Sequence, residues 1–444
     1  MEYDEYVKIY ERKTKKSKSL YLRSSNVFPR GVSHNIRFFE PYPFFSKEAK
    51  GKSIVDIDDN KYTDYWMGHW ALILGHSPNI VSKSLLKQIT KGTLYGTANE
   101  LSVDLGEIIQ KLMPRAEYIR FSTTGSEATM YAVRLARAKT SKRIIAKIEG
   151  GWHGYNTSLM HAVNYPFDIR EGSGLIQDEE QFIKAIPFND LQESLKILES
   201  IKDDLAGIIV EPVLGGAGCI PPVDGYLQGL QEFAKKNDNL FILDEIVTGF
   251  RLSIHGASSI YKLEPDIFTL GKIVGGGLPI GVVCGDKDIM ALADPIMKDK
   301  EYCCAIGGGT FSANPVTMTA GLTTINYLKM NKDSIYPKID NLGNEVRRGL
   351  NKIFSDAKIN VQVTGTGSLF QVHFLNELVT SITNSKDVTL SNRELSKKYS
   401  LALMANHGIF FLPLKMGALS EAHNGYDVKK LLSATKSLLD LGFL

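Results

Sequence analysis

Leu243 to Lys272 reads LDEIVTGFRLSIHGASSIYKLEPDIFTLGK. Asp244 follows the apolar run Phe241-Ile242-Leu243, and Lys272 stands between the β-prone run DIFTL and the glycine-rich IVGGG. Short apolar runs bounded by turn residues read as buried strands. One strand then ends on a carboxylate and the next on a lysine at a tight glycine turn. These are two of the parts that pyridoxal phosphate (PLP) chemistry needs: an acid partner for a ring nitrogen and an amine for a Schiff base. Taken alone the pair is common in α/β chains, so its meaning depends on the surrounding sequence.

Working outward, strands and helices alternate. Tyr118 to Phe121, Arg143 to Lys147, Gly207 to Val210, Leu240 to Leu243 and Ile280 to Cys284 read as strands. TTGSEATMYAVRLARAKT and Gly225 to Lys236 read as helices. Such alternation predicts an α/β fold with a mostly parallel sheet covered on both faces. Toward the amino end, Leu101, Leu105, Ile108, Ile109 and Leu112 share one helical face, and SIVDIDDNKYTDY reads as a hairpin turning at Asp59-Asn60. Toward the carboxyl end the pattern changes to α+β. A helix near Ile339 to Phe354 precedes strands at Asn360 to Thr364 and Leu369 to Phe374. A helix then opens at Ser391, with Glu394 in capping-box position, and ends at His407-Gly408. The expected division is 1–65 as an N-terminal segment packing with the small domain, 66–320 as the large PLP-binding domain and 321–444 as the small domain.

Composition excludes some classes. A net charge of +3 over 444 residues is too small for an extended nucleic-acid surface. No apolar run reaches the length of a membrane span, and MEYDEYVKIYERKTKKSKSL lacks the apolar core of a signal peptide. Its KTKKSK run reads as a solvated helix end or linker. Cys219, Cys284, Cys303 and Cys304 have no metal-ligand spacing, which predicts a reduced, cytoplasmic protein with no metal site.

Four further stretches carry chemistry. In STTGSEA, Thr124 and Glu127 have capping-box spacing and Gly125 permits close backbone approach; the motif is either an ordinary capped helix or a phosphate seat. In EGGWHGY, Trp152 is either a core residue or a flat platform for a planar ring, and His153 reads better as a hydrogen-bonded structural residue than as an acid or base. Glu211-Pro212 ends another strand at a glycine-rich loop, on the edge where open α/β sheets bind ligands. GGGTFSANP places Thr310 behind three glycines. Arg37, between apolar residues, needs an anion partner, either a nearby carboxylate or a substrate's. GKIVGGG matches neither the dinucleotide fingerprint nor the P-loop.

In order, TTGSEA, GWHG, EP, LDEIVTGFR, TLGKIVGGG and GGTFSANP resemble the class III (ω-type) PLP-dependent aminotransferases. PRGV, DIDDNKYTDY, LGHSPNIV and LSEAH are similar to their glutamate-1-semialdehyde 2,1-aminomutase branch. The resemblance implies PLP fold type I, the aspartate aminotransferase-like fold, with a seven-stranded sheet and a smaller α+β domain. It also implies a homodimer with its active site at the subunit interface. Lys272 would carry the Schiff base and shuttle the proton, and Asp244 would pair with the ring nitrogen. Gly125 and Ser126 would hold the phosphate, Thr310 would reach it from the other subunit, and Trp152 would stack on the ring. Glu211 would complete the cofactor contacts.

Substrate contacts are expected at His34, Arg37, Trp70 and Lys415. His34 stands where the aminomutases have serine, Gly216 where they have asparagine, and Lys415 close to where they have glutamate. The segment VNYPFDIREGSGLIQDEEQFIKAIPFND also differs from the gate that retains their intermediate. The reading is an aminotransferase moving an amino group from a carboxylate-bearing amino compound to a keto acid through pyridoxamine phosphate. The alternatives are the aminomutase and, behind it, a racemase or decarboxylase of the same fold.

Overall fold

A computed structural model of the chain describes residues 2–296 and 303–443. It contains two compact units. One comprises Met1–Pro78, Pro337–Ile382 and Asp387–Leu444; the other comprises Asn79–Tyr336 with Thr383–Lys386. These units divide at 78/79 and 336/337, where the sequence reading put its boundaries at 65/66 and 320/321.

The second unit is built on a seven-stranded sheet. Its strands are β1 (Tyr118–Ser122), β2 (Ile144–Ile148), β3 (Ile183–Ile186), β4 (Leu205–Val210), β5 (Leu240–Asp244), β6 (Ile267–Gly271) and β7 (Gly281–Gly285). Their order across the sheet is β1-β7-β6-β5-β4-β2-β3. All pairings are parallel except those of β7, which runs against both neighbours. The carboxyl ends of β1 to β6 therefore lie along one edge, and β7 begins at it. Every residue of β4 and β6 is buried. That explains why these strands read as continuous apolar runs rather than alternating ones.

Helix α1 (Gly125–Thr140) leaves β1 through a capping box in which Thr124 Oγ1 accepts from Glu127 N at 3.2 Å. The Glu127 carboxylate accepts from Thr123 N and Thr124 N at 2.7 and 2.9 Å. Ala128, Ala132, Leu135 and Ala136 are buried on this helix, and Leu135 joins Ile145, Ile209, Ile242, Ile267 and Val283 in one core cluster.

The first unit holds a four-stranded sheet, Ser46–Lys50, Ser53–Asp56, Lys61–Asp64 and Ile409–Phe410 in that order, and a three-stranded one. The expected hairpin forms, with Asp59 at φ 68° in its turn. The core of this unit is aromatic, with Tyr6, Tyr10, Tyr65, Phe370, Phe374, Tyr399 and Phe443 buried together. The basic run spans the end of helix Tyr3–Lys13 and the first turn of helix Lys15–Ser24, where the amides of Lys16 and Ser17 donate to Asp58 at 2.6 and 2.8 Å.

Three local readings change. Ile183–Ile186, read as part of an irregular loop, is an edge strand paired with β2. Pro315–Met330, left without an element, is a helix with Asn314 as its N-cap. The helix expected to open at Ser391 begins at Arg393: Asn392 is its N-cap, accepting from Leu395 N at 3.1 Å.

Candidate active site

Asp244, Lys272, Glu211, Trp152 and the start of α1 all lie at the carboxyl edge of the sheet, because each ends one of the strands β1 to β6 or follows it within four residues. Asp244 is the last residue of β5 and 3% exposed. Its Oδ1 accepts from Thr269 Oγ1 and Ile246 N, both at 3.0 Å, and its Oδ2 lies 2.7 Å from His153 Nδ1. A carboxylate only accepts, so Nδ1 carries the proton. Nε2 of His153 is buried and has no hydrogen-bond partner among the described residues. His153 is thus the orienting partner of Asp244, which the residue order GWHG did not disclose.

Lys272 follows β6 with φ 50°, in the left-handed region that a side chain adopts only under constraint. Burial pushes its amine down to about 8; Asp244 and Glu211 oppose that shift and Arg251 adds to it. Glu211 is buried, with Oε1 accepting from Trp152 N at 3.0 Å and Oε2 from Gly215 N at 3.2 Å. Burial raises its pKa, His153 works against the rise and Asp244 adds to it. The edge therefore brings together an amine, two carboxylates, an imidazole and a buried guanidinium.

Trp152 is 37% exposed, which excludes the core-packing reading, and meets Tyr155 edge-to-face at 4.9 Å. Tyr155 N donates to Ser126 Oγ at 3.2 Å. Gly154, at φ 90°, lies so close to Ser126 that a Cβ there would fall 2.3 Å from its hydroxyl. The loop after β2 is therefore fitted onto the first turn of α1. Lys147, in β2, is fully buried, and its Nζ donates to Gly151 O, Leu159 O and His161 O at 2.9, 3.1 and 2.6 Å. Burial pushes this amine down to about 7, while Glu171 and Glu211 pull it up. Sequence reading took Lys147 only as a strand residue.

Thr310 is exposed, on a loop whose Gly309 passes Thr123 and Glu127 so closely that a Cβ there would lie 3.3 Å from each. The other expected residues belong to the first unit. Arg37 is exposed, donates to Ser33 Oγ at 2.8 Å, and forms no ion pair with a described carboxylate. His34 is half-buried; its Nδ1 accepts from Ile36 N at 3.2 Å, and burial, then Arg37, lower its pKa. Trp70 is 3% exposed and its indole N–H donates to Met416 O at 2.8 Å, so it is a packed residue there. It closes a left-handed turn, Met67 to Trp70, in which Trp66 and His69 stack at 4.7 Å. Lys415 is half-buried, and burial, then Arg393, lower its pKa.

The residues at the sheet edge fit PLP. The amides of Gly125 and Ser126, first in α1, donate to no described group, so a helix N-terminus with two open donors faces the edge. Asp244 Oδ2 has lone-pair capacity beyond its bond to His153. The Lys272 amine lies within electrostatic reach of Asp244 and is shifted toward its neutral form.

The family model described as aminotransferase class-III matches residues 38–417. The chain is 37% identical over 427 residues to a glutamate-1-semialdehyde 2,1-aminomutase of Methanothermobacter thermautotrophicus, covering 96% of this chain and 99% of that protein. An ω-transaminase from Sphaerobacter thermophilus superposes with a TM-score of 0.88 at 29% identity, over 96% of this chain and 97% of that one. A β-phenylalanine aminotransferase from Variovorax paradoxus superposes with a TM-score of 0.90 at 26% identity, over 100% and 98%.

Proposed function

Because this chain belongs to the class III aminotransferase family, a PLP-dependent family, we propose that it moves an amino group from a carboxylate-bearing amino compound to a keto acid. PLP, when bound, supplies an electron sink that acidifies the carbon carrying the amino group. The chain's residues do the rest. Gly125 and Ser126 amides, at the positive end of α1, hold the phosphate. Asp244, oriented by His153 and Thr269, keeps a proton on the ring nitrogen. Trp152, exposed at this edge, would lie against the ring. Lys272, whose burial lets its amine become neutral from about pH 8 upward, would carry the Schiff base with PLP and take the proton leaving the substrate carbon. Glu211 fixes the Trp152 amide and adds negative potential beside Lys272.

What supports transfer between two substrates is the departure from the aminomutase pattern at the expected substrate positions and in the segment 163–190. Arg37 has no carboxylate partner among the described residues, and Lys415 supplies a cation close to where the aminomutases are expected to carry glutamate. Two cations favour an acidic substrate. The aminomutase reading is favoured by the 37% identity to proteins of that name over nearly the whole chain. A stoichiometric assay separates the two. The PLP-loaded enzyme given an amino donor alone releases one keto product per site and stops; a mutase given its semialdehyde turns over with no second substrate.

The active unit in this reading is a homodimer in which Thr310 of one copy reaches the phosphate held by the other. The four cysteines are free thiols and no described helix is long and apolar enough to cross a membrane, which supports a cytoplasmic setting.

A further inference from the structure

We infer that Lys147 is a positioning residue: its buried side chain closes the base of the loop Gly151 to His161 and so holds Trp152 and His153 at the active-site edge. The loop leaves β2 and returns beside it. Gly150 N donates to Ala162 O at 2.8 Å, and Lys147 Nζ gathers one carbonyl from the loop's start and two from its end. The return is held from the other side by Glu171, whose Oε1 accepts from Val163 N and Asn164 N at 2.6 and 2.7 Å.

Between these ties the loop touches each part of the site. Trp152 N donates to Glu211, His153 Nδ1 to Asp244, and Tyr155 N to Ser126. Thr129 Oγ1 of α1 donates to His153 O at 2.5 Å. The ring platform and the orienter of Asp244 are thus carried on one segment, which lacks regular strand or α-helix pairing of its own. Three carbonyls converging on one buried point need three N–H donors from a single atom. An ammonium, the form this amine takes below about pH 7, has them in tetrahedral array; a neutral amine has two, and a guanidinium spreads its donors in a plane. An apolar side chain in this strand would leave all three carbonyls unpaired.

The test compares the full-length parent with Lys147→Met and Lys147→Ala, each with and without added PLP. In Lys147→Met, amide hydrogen exchange across 151–161 accelerates by about tenfold or more, the scale of one lost buried hydrogen bond. Apo-protein melting stays within a few degrees of the parent, PLP binds about tenfold or more weakly and its visible band shifts. Propylammonium chloride restores slow exchange in Lys147→Ala and propanol, which fills the same space without the ammonium, does not; equal rescue by both would mark a purely space-filling role. Loop exchange and PLP affinity within about twofold of the parent overturn the assignment. So does global unfolding of both variants, since Lys147 would then be a determinant of the fold. The assignment rests on the PLP reading only for the binding arm. A parent chain that binds no PLP sinks that reading while the exchange arm still decides the loop's closure.

Discussion

At Lys272 the protonation state decides reactivity. An amine attacks an electrophile only when neutral, and burial has pushed this one down to about 8. Acylation of Lys272 in the cofactor-free protein, mapped by mass spectrometry, should therefore climb through about pH 8, well before the ordinary lysine value near 10.4. A profile that climbs only near pH 10 contradicts the burial argument. The displacement also fixes a sign for stability. Between about pH 8 and 10.4 the unfolded chain binds the extra proton, so this group makes folding more favourable as pH rises through that window. Lys272 and Asp244 were legible in the sequence because each is announced locally, by a strand end and a glycine turn. The pairing of His153 with Asp244 was not, since its partners stand 91 positions apart. Lys147 was equally silent, because its partners are carbonyl groups and any sequence has those.

At the scale of elements, the buried parallel strands were legible from continuous apolar runs, and α1 from its capping box. Ile183–Ile186 was missed because a four-residue edge strand with an exposed Lys184 carries little apolar signal. Helix Pro315–Met330 was missed because burial on several faces, at Met318, Ala320, Thr324 and Leu328 among others, erases the one-sided stripe that marks a helix. Its Asn-Pro start was the signal available. The junction of β7 with the turn before α1 is the tightest of these contacts: a Cβ on Gly281 would lie 2.0 Å from Thr124 O, a backbone atom that no rotamer change can move. Gly281→Ala should lower the unfolding free energy by about 1–3 kcal/mol in urea titration. Gly172→Ala, where a Cβ meets nothing within 4 Å, serves as the control. Equal midpoints for the two variants would show that the junction yields.

At the scale of the whole molecule, the dimer proposal makes a prediction that a single chain cannot satisfy. Lys272→Ala and Thr310→Asp subunits are each expected to be inactive as homodimers. Co-expressed and mixed at random, half of the dimers pair one of each, and in these one site has both Lys272 and Thr310 intact. Recovery of about a quarter of parental activity follows from twofold symmetry. No recovery would place Thr310 in the site of its own chain. The domain outline is less legible in sequence than the sheet, because residues 383–386 group with the second unit from within a stretch otherwise assigned to the first.

The reversed strand β7 has a metric consequence. Gly281 lies in register with Ser122 on one side and Gly271 on the other, at the edge where the site forms. Neighbouring strands are about 4.8 Å apart, so the backbones at Ser122 and Gly271 stand two ladder steps, roughly 10 Å, from each other. β7 acts as a ruler. In the proposed reading, a carbonyl compound held by its anion at the start of α1 and by its aldehyde at Lys272 has to match that spacing, so one that is too short is expected to be rejected by length.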